Sequence, residues 1–412
     1  MNPLTRIIRG FAVIAGLGAA GAVLLHSTDW ARAAARVDAS VADRVVQQGH
    51  FVNANQSDFP WTLFPAYAND VREGQKLSLQ IADKPYTPSS AEGLDDYHCF
   101  VIDPKFTKDG MVTSVNIAPG NAKVVHHVIL YKIEGAAVGA ANEKNKQNAG
   151  KGWTCFGGPN VGSPGSGGSW LGAWAPGSSG GALPAGLGVP VKAGSLIVMQ
   201  VHYNLTNGAQ PDLSSAELVL APEGSNLKTL RTNLLYAPVE VPCATDQTGP
   251  NCDRAAVLIE NGQKFGAISE QIPRFLLSGC KRTLDDYRNQ GDASRVSTSC
   301  DNPVRTDATL YSVAGHMHLR GVDIRLELNA GTNAAKTLLH IPKWDFHWQG
   351  NYWFKTPVEV KKGDTIRVSC TYDNSTTNQP MIGDKPATPR YIVWGEGTTD
   401  EMCLGVIMSS PK

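Results

Sequence analysis

The stretch Leu196-Ile-Val-Met-Gln-Val-His-Tyr203 has the length and composition of a β-strand, and a turn-forming Asn204 follows it. Val322-Asp-Ile-Arg-Leu-Glu-Leu328 and Thr365-Ile-Arg-Val-Ser-Cys-Thr-Tyr372 have the same strand character and are also closed by turn residues. The 42 glycines and 25 prolines supply many more turns. The sequence therefore predicts an all-β protein built from β-sandwiches.

The composition limits the size and the partners of this protein. The chain has 412 residues, of which 42% are hydrophobic and 18% charged, which is enough for two domains with cores of their own. Its formal net charge is zero, so the charge balance does not favour nucleic acid or an anionic membrane as a partner. Small-molecule partners are expected instead.

The N-terminus has the pattern of an export signal. Arg6 and Arg9 precede an apolar stretch at 11–25, and small residues at 31–35 offer cleavage positions. The apolar stretch is shorter than the ~20 residues that a membrane-spanning helix needs. We expect a signal peptide at 1–35, a secreted or periplasmic protein, and no stable membrane insertion after cleavage. An uncleaved signal would leave an N-terminal anchor.

The cysteines agree with an exported protein. Eight cysteines, none in a Cys-x-x-Cys spacing, favour a disulfide set over a zinc ribbon or a thioredoxin-like motif. Eight cysteines allow about 105 connectivities. The preferred pairing joins Cys99 to Cys155, Cys243 to Cys252, Cys280 to Cys300 and Cys370 to Cys403.

The domain organisation follows from turn-rich and apolar segments. Residues 36–87 form a lead-in, in which 37–48 has the pattern of a short helix. Residues 157–188 are dominated by Gly, Ser, Pro and Ala and are expected to form a long surface loop, with a lid as the less favoured alternative. Turn residues from Pro222 onward suggest a boundary between an N-terminal domain at 88–222 and a C-terminal domain at 223–412.

Five of the ten histidines lie in three short stretches. These are Val125-His126-His127, Gln200-Val-His202-Tyr203 and His316-Met-His318, and Met402 follows far downstream. Three imidazoles, or two imidazoles and a thioether, suit copper in its two common oxidation states. The pattern therefore predicts a redox protein with two copper sites.

The spacing of the histidines bears on how they bind a metal. Residues two apart in a strand share a face, so His316 and His318 project together while Met317 points away. Adjacent His126 and His127 normally project to opposite faces. Their joint ligation requires a β-bulge, or one ring binding through Nδ1 and the other through Nε2.

Six motifs in this order resemble a known family. They are Asp95-Asp-Tyr-His-Cys99-Phe, Val125-His126-His127-Val-Ile-Leu-Tyr131, Leu183-Pro-Ala-Gly-Leu-Gly188, Gln200-Val-His202-Tyr203, His316-Met-His318-Leu-Arg-Gly321 and Asp400-Glu-Met402-Cys403. The chain is similar from about residue 90 onward to the copper type II ascorbate-dependent monooxygenases, the group of peptidylglycine α-hydroxylating monooxygenase and dopamine β-monooxygenase. The resemblance implies two jelly-roll-like β-sandwich domains with one copper each, facing each other across a solvent-filled cleft.

The resemblance also implies roles for the matching residues. His126, His127 and His202 would hold an electron-transfer copper, and His316, His318 and Met402 would hold the catalytic copper that binds oxygen. A thioether favours Cu(I), the state that meets dioxygen, which agrees with this division. Cys370 and Cys403 match a family disulfide that would hold Met402 in place.

The implied reaction is hydroxylation of a C–H bond of a small organic substrate with dioxygen. One oxygen atom enters the product and the other leaves as water, and ascorbate or another one-electron donor reduces each copper. The sequence has no strand-linked Gly-x-Gly-x-x-Gly and no Cys-x-x-Cys-His, so flavin and haem are not expected.

The resemblance is weaker around the substrate. Peptide-amidating members hold a substrate carboxylate with an arginine, an asparagine and a tyrosine, and the matching positions here are Ala314, Leu404 and Val406. A glycine-extended peptide therefore has no obvious anchor. Arg320 is a possible substitute, although a surface position is the favoured interpretation.

Several alternatives stay open from sequence alone. A non-catalytic exported copper-binding protein would use the same ligands, a blue-copper carrier would need a free Cys403, and a zinc hydrolase would suit only the three-histidine site. Met317 and Met381 are reserve candidates for the thioether. The aromatic run at 344–354 is expected to pack a sheet.

Overall fold

The computed structural model describes part of the chain in detail. The described residues are 61–62, 68–90, 93–162, 168–178, 180–288, 290, 294–382 and 384–412. The predicted signal peptide at 1–35 and the predicted helix at 37–48 lie outside them. None of the helices in these ranges is long and apolar enough to cross a bilayer.

Apart from its first short strand, which pairs with a strand of the second half, the first half of the described chain folds into two facing sheets. Its elements in chain order are β1 (Trp61–Thr62), β2 (Gln75–Gln80), β3 (Asp95–Ile102), β4 (Gly110–Ala118), β5 (Val125–Ile133), α1 (Ala136–Gln147), β6 (Trp153–Thr154), β7 (Ser169–Trp174), β8 (Gly181–Ala182), β9 (Leu187–Val191), β10 (Leu196–Asn204), β11 (Ser215–Leu220) and β12 (Lys228–Thr229). One sheet has the order β6-β3-β10-β5-β7, and the other has the order β12-β9-β4-β11-β2 with β8 beside β4. Apolar side chains of both sheets form one buried core, so this half is a β-sandwich.

The second half forms another pair of sheets. Its elements are β13 (Arg231–Tyr236), β14 (Glu240–Val241), α2 (Arg254–Phe265), α3 (Ala267–Gly279), α4 (Asp285–Arg288), β15 (Arg295–Pro303), β16 (Ala308–His316), β17 (Gly321–Leu328), β18 (Lys336–Ile341), β19 (Tyr352–Val360), β20 (Thr365–Asp373), β21 (Met381–Ile382), β22 (Lys385–Pro386), β23 (Ile392–Val393) and β24 (Leu404–Pro411), with short 3-10 helices at 250–252 and 376–378. The two larger sheets have the orders β1-β19-β16-β24-β13 and β15-β20-β17-β18.

The three stretches predicted to be strands are strands in the structure. They are β10, β17 and β20, and each lies inside a sheet with a neighbour on both sides. β10 is buried along nearly its whole length, which explains its continuous apolar run. The all-β prediction is confirmed, with two sandwiches.

A helical hairpin was not predicted from the sequence. α2 begins after Asp253, whose carboxylate accepts a hydrogen bond from the Ala256 amide at 3.0 Å. Gly266, with φ of 95°, separates α2 from α3. Phe265 at the end of α2 packs edge-on against Phe156 of the first sandwich, with ring centroids 4.9 Å apart.

Two irregular segments contain more structure than the sequence predicted. In the lead-in at 36–87, β2 pairs with β11 as an edge strand. In the Gly-rich stretch at 157–188, β7 pairs with β5, so a single long surface loop was wrong. Both are edge strands, whose half-polar composition resembles that of loops. The domain boundary near Pro222 stays a prediction.

The four disulfides are those of the preferred pairing. They are Cys99–Cys155, Cys243–Cys252, Cys280–Cys300 and Cys370–Cys403. Each joins a strand or helix end to a neighbouring segment and restricts the unfolded chain. Four disulfides are typical of proteins that fold outside the reducing cytosol.

Candidate metal centre

Three histidines of the first sandwich converge at a β-bulge. Along the β5–β10 pair, His127 lies opposite His202, but the next pair is Val125 with Tyr203. His126 is therefore the extra residue of a bulge, one of the two arrangements that would let adjacent histidines bind one metal. One ring nitrogen from each of His126, His127 and His202 lies within 4.8 Å of the others.

The surroundings of these imidazoles favour a bound cation. Neither ring nitrogen of the buried His126 has a hydrogen-bond partner, although a buried polar group normally has one. Burial, followed by the neighbouring His202, lowers the pKa of His126 and of His127 well below the usual value. Both rings thus stay neutral and keep a lone pair for a metal.

Asp95 and Tyr97 of β3 orient His202. The Nε2 of His202 is 2.8 Å from the Asp95 carboxylate, which leaves Nδ1 facing His127 at 3.4 Å. The Tyr97 ring stacks on the His202 ring with centroids 3.9 Å apart. Burial alone would raise the pKa of Asp95, but hydrogen bonds from His202 and Thr398 hold it below its usual value.

Two more histidines lie at the end of β16 in the second sandwich. His316 and His318 have ring centroids 5.1 Å apart. The Nδ1 of His316 is 2.5 Å from the Gln349 side-chain oxygen, and the Nδ1 of His318 is 3.2 Å from the Asp400 carbonyl. Burial lowers the pKa of His316 to about 4 and that of His318 to about 3. With Nδ1 engaged, each ring keeps Nε2 for a metal.

Met402 belongs to the segment that contacts His318 through Asp400 and Glu401. His316 at the end of β16 pairs with Leu404 at the start of β24, two residues after Met402. The Tyr372 hydroxyl donates to the Met402 carbonyl at 2.9 Å, and the following Cys403 is bonded to Cys370. The reserve candidates are placed differently: Met317 is fully buried against Gly321, and Met381 is exposed.

The two histidine groups meet in one cluster. The rings of His127 and His316 are 6.4 Å apart and nearly perpendicular. Phe346 of the second sandwich stacks on His126, with centroids 4.1 Å apart. The two sandwiches face each other at these rings, as expected, and a solvent-filled cleft between them stays a prediction.

The aromatic run contributes to this cluster, which the sequence reasoning missed. Residues 344–349 lie between β18 and β19, so only the second part of the run, at 352–354, lies in a sheet as expected. Trp344 donates its indole N–H to the His318 carbonyl at 3.0 Å, while Phe346 and Gln349 contact His126 and His316. A dense aromatic run that contains Gln349 and follows the His316-Met-His318 motif in the chain was the available signal.

Arg320 is not a surface residue, so the favoured interpretation was wrong. Its side chain is fully buried. Its guanidinium donates to Asn374 Oδ1 at 3.0 Å, Thr399 O at 2.8 Å and Gln379 Oε1 at 2.8 Å. These bonds engage every nitrogen of the guanidinium, so Arg320 stabilises the fold next to the site and does not offer its charge to a substrate.

The Gly-rich stretch also reaches the second sandwich. The backbone N–H of Gln349 donates a hydrogen bond to the Pro176 carbonyl at 2.7 Å. Gly177 has φ of 86°, and a Cβ there would lie 2.8 Å from the Trp348 ring. Glycine permits this close approach. The segment therefore supports Gln349, the residue that orients His316.

Solved structures of low similarity give no guide to function. PNGase F, a glycosylasparaginase from Flavobacterium meningosepticum, is 8% identical with a TM-score of 0.28, covering 82% of this chain and 96% of that one. Allantoicase is 12% identical with a TM-score of 0.18, covering 86% of this chain and 98% of that one. Matches with TM-scores this low say nothing about the fold or the function of this chain. No curated protein sequence matches the chain significantly.

Family profiles match both halves of the chain. The profile described as copper type II ascorbate-dependent monooxygenase, N-terminal domain, matches residues 87–210, and that of the C-terminal domain matches residues 289–411. Each match contains one of the two histidine groups, and clustered imidazoles fit the copper that such a family uses. The chain thus belongs to the copper type II ascorbate-dependent monooxygenase family.

Proposed function

We propose that this protein is an exported monooxygenase that hydroxylates a C–H bond of a small, weakly polar organic molecule. Dioxygen is the oxidant, and ascorbate or a similar one-electron donor supplies the electrons. The observation that carries the proposal is the meeting of two separate histidine groups, one from each sandwich, with the His127 and His316 rings 6.4 Å apart. Export agrees with the four disulfides.

Each histidine group would hold one copper, and the two coppers would have different roles. His126, His127 and His202 would hold the copper that stores and transfers an electron, because imidazoles serve both Cu(II) and Cu(I). His316, His318 and Met402 would hold the copper at which dioxygen is activated, since the thioether favours Cu(I). Copper supplies the redox chemistry of the reaction.

The protein's own residues fix the rings and exclude water. Asp95, Gln349 and the Asp400 carbonyl each engage the ring nitrogen that is not proposed to bind copper. His126, His202 and His318 are buried, which keeps bulk water from these three rings. The chain thereby prepares the ligands before a metal binds.

The surface beside His316 indicates the class of substrate. Ala314 pairs with Val406, and His316 pairs with Leu404. Directly opposed residues in an antiparallel pair share a face, so these three apolar residues lie on the same face as His316. A carboxylate would find no charged partner among them, which supports a weakly polar substrate rather than a glycine-extended peptide.

The test combines copper analysis with oxygen consumption. The copper-loaded protein is expected to bind two coppers and, with ascorbate, to consume dioxygen only when small aromatic or aliphatic substrates are present. The product should carry one atom of ¹⁸O₂. His340→Ala is the control, because His340 bonds Asp323 away from the cluster. Two bound coppers without substrate-dependent oxygen consumption across the panel would instead support a copper-binding protein without catalysis.

A further inference from the structure

One short segment contacts one histidine group directly and the partners of a histidine in the other group. This bridging segment, residues 396–402, precedes β24 in the second sandwich and ends at Met402. The Asp400 carbonyl is hydrogen-bonded to Nδ1 of His318. The Glu401 carboxylate accepts hydrogen bonds from the backbone amides of His318, Arg320 and Gly321. The segment thus supports the histidine–methionine group of its own domain.

The same segment reaches the other domain. The Thr398 amide donates to Asp95 Oδ2 at 3.0 Å, and the Thr398 hydroxyl donates to Asp95 Oδ1. Asp95 in turn accepts from His202 Nε2 at 2.8 Å. The Glu396 carbonyl accepts from the hydroxyl of Tyr97, the ring that stacks on His202, at 2.8 Å. Two independent contacts therefore lead from this segment to His202.

We infer that Thr398 is a positioning residue for the copper site of the other domain, acting on His202 through Asp95. The inference rests on the proposed role of His202 as a copper ligand. Because Thr398 belongs to the second sandwich and Asp95 to the first, this chain of hydrogen bonds exists only when the two domains are in contact. The domain that carries the histidine–methionine group would thus tune the all-histidine copper.

The physical effect has a definite sign. A carboxylate on the outer nitrogen of a ligating imidazole fixes the ring and makes it a stronger electron donor, which stabilises Cu(II) relative to Cu(I). The hydroxyl of Thr398 withdraws part of that carboxylate's charge by hydrogen bonding. Removal of the Asp95 charge should therefore raise the copper reduction potential, whereas removal of the Thr398 hydroxyl should lower it.

The experiment uses the full chain with the His318→Ala substitution, so that only the all-histidine copper remains. Its Cu(II) spectrum and reduction potential are measured by electron paramagnetic resonance during redox titration. Thr398→Val should lower the potential and alter the spectrum with copper still bound. Asp95→Asn should raise the potential and weaken copper binding about tenfold. Thr398→Ser restores the hydroxyl and should restore the potential.

Two controls separate tuning from general disturbance. Thr399→Val changes the neighbouring threonine, whose carbonyl rather than its side chain accepts from Arg320. Asp96→Asn changes the neighbouring carboxylate, which accepts from Tyr86 and Ser89 instead. Neither should shift the potential. Equal potentials for Thr398→Val and Thr399→Val, or shifts of the same sign for Thr398→Val and Asp95→Asn, would overturn the inference.

The result can be separated from failure of the proposed function. If His202→Ala in the same background keeps its copper, the ligand assignment itself is wrong. If His202→Ala loses the copper but Thr398→Val matches the parent, only the tuning role is rejected. Should Asp95→Asn fail to fold, the three threonine variants still decide the question.

Discussion

The two histidine groups differ in what holds their imidazoles. In the first sandwich a carboxylate, Asp95, engages His202, and the ligands lie on two paired strands with a bulge. In the second, a neutral amide and a backbone carbonyl engage His316 and His318, and Met402 comes from a separate segment. A charged partner favours Cu(II), while neutral partners with a thioether favour Cu(I). The hydrogen-bond partners of the ring nitrogens that do not face the metal, here called the outer partners, thus distinguish two groups that both consist mainly of histidines.

The sharpest way to break this comparison is to remove the thioether. Met402→Ile should abolish hydroxylation while the all-histidine copper stays bound, because the sulfur serves only the group in the second sandwich. Metal analysis and oxygen consumption measure both effects. Met408→Ile, on the strand that follows Met402, is the control and should keep most of the activity. Near-normal turnover of Met402→Ile would make the thioether structural and pass the role to Met317 or Met381.

Removing a ligand from the other group tests the division from the opposite side. His126→Ala should lose one copper and keep the second, and it should stop sustained turnover because the electron supply is interrupted. His127→Ala should still allow reduction of the remaining copper. His98→Ala is the control, since Tyr86 and the Lys151 carbonyl engage its ring nitrogens. Two coppers retained by His126→Ala would contradict a three-histidine site.

Making the outer partners alike sharpens the comparison. Gln349→Glu places a carboxylate against His316, as Asp95 is placed against His202. The added charge should stabilise Cu(II) at the histidine–methionine group and slow turnover about tenfold. Stopped-flow reduction and steady-state rates measure the change. Gln247→Glu, at a buried glutamine that bonds Ala244, is the control. An unchanged rate would show that the charge of the partner has no influence.

The smallest expected effect concerns a buried carboxyl that does not contact a histidine. Burial, countered in part by a Gly157 hydrogen bond, raises the pKa of Glu396 to about 7. The folded protein then keeps a proton that the unfolded chain releases, so this group lowers stability as the pH rises from about 4.5 through 7. Relative to the parent protein, Glu396→Gln should therefore have a higher free energy of unfolding, and this gain should be up to about 3 kcal/mol larger at pH 8 than at pH 5.

The measurement is chemical unfolding at both pH values, with the exposed Glu217→Gln as control. The copper spectrum of Glu396→Gln should not change, in contrast to Asp95→Asn. A gain in stability that is the same at pH 5 and pH 8 would show that Glu396 has an ordinary pKa. A changed spectrum would show that Glu396, in addition to Asp95, influences the copper site.

Local pattern was enough for much of the fold and for the grouping of candidate ligands. The apolar stretches of β10, β17 and β20 predicted strands, because burial of one or both faces selects residue types along the chain. The spacing of His316 and His318 predicted a shared face, and the adjacency of His126 and His127 predicted either the bulge that the structure contains or ligation through different ring nitrogens. The hairpin of α2 and α3 was missed among the surrounding strand patterns.

Only the tertiary structure decided what surrounds the ligands. Thr398 is 303 residues from Asp95, and Gln349 is 33 residues from His316. Neither pairing follows a strand or helix period, so no local pattern marks it. Burial of Arg320 was likewise decided by partners from the segments at 374–379 and 399. By itself the sequence determined which side chains can bind a metal, because ligand chemistry and strand period are local properties. The orientation and charge environment of those ligands depend on which distant segments the two sandwiches bring together.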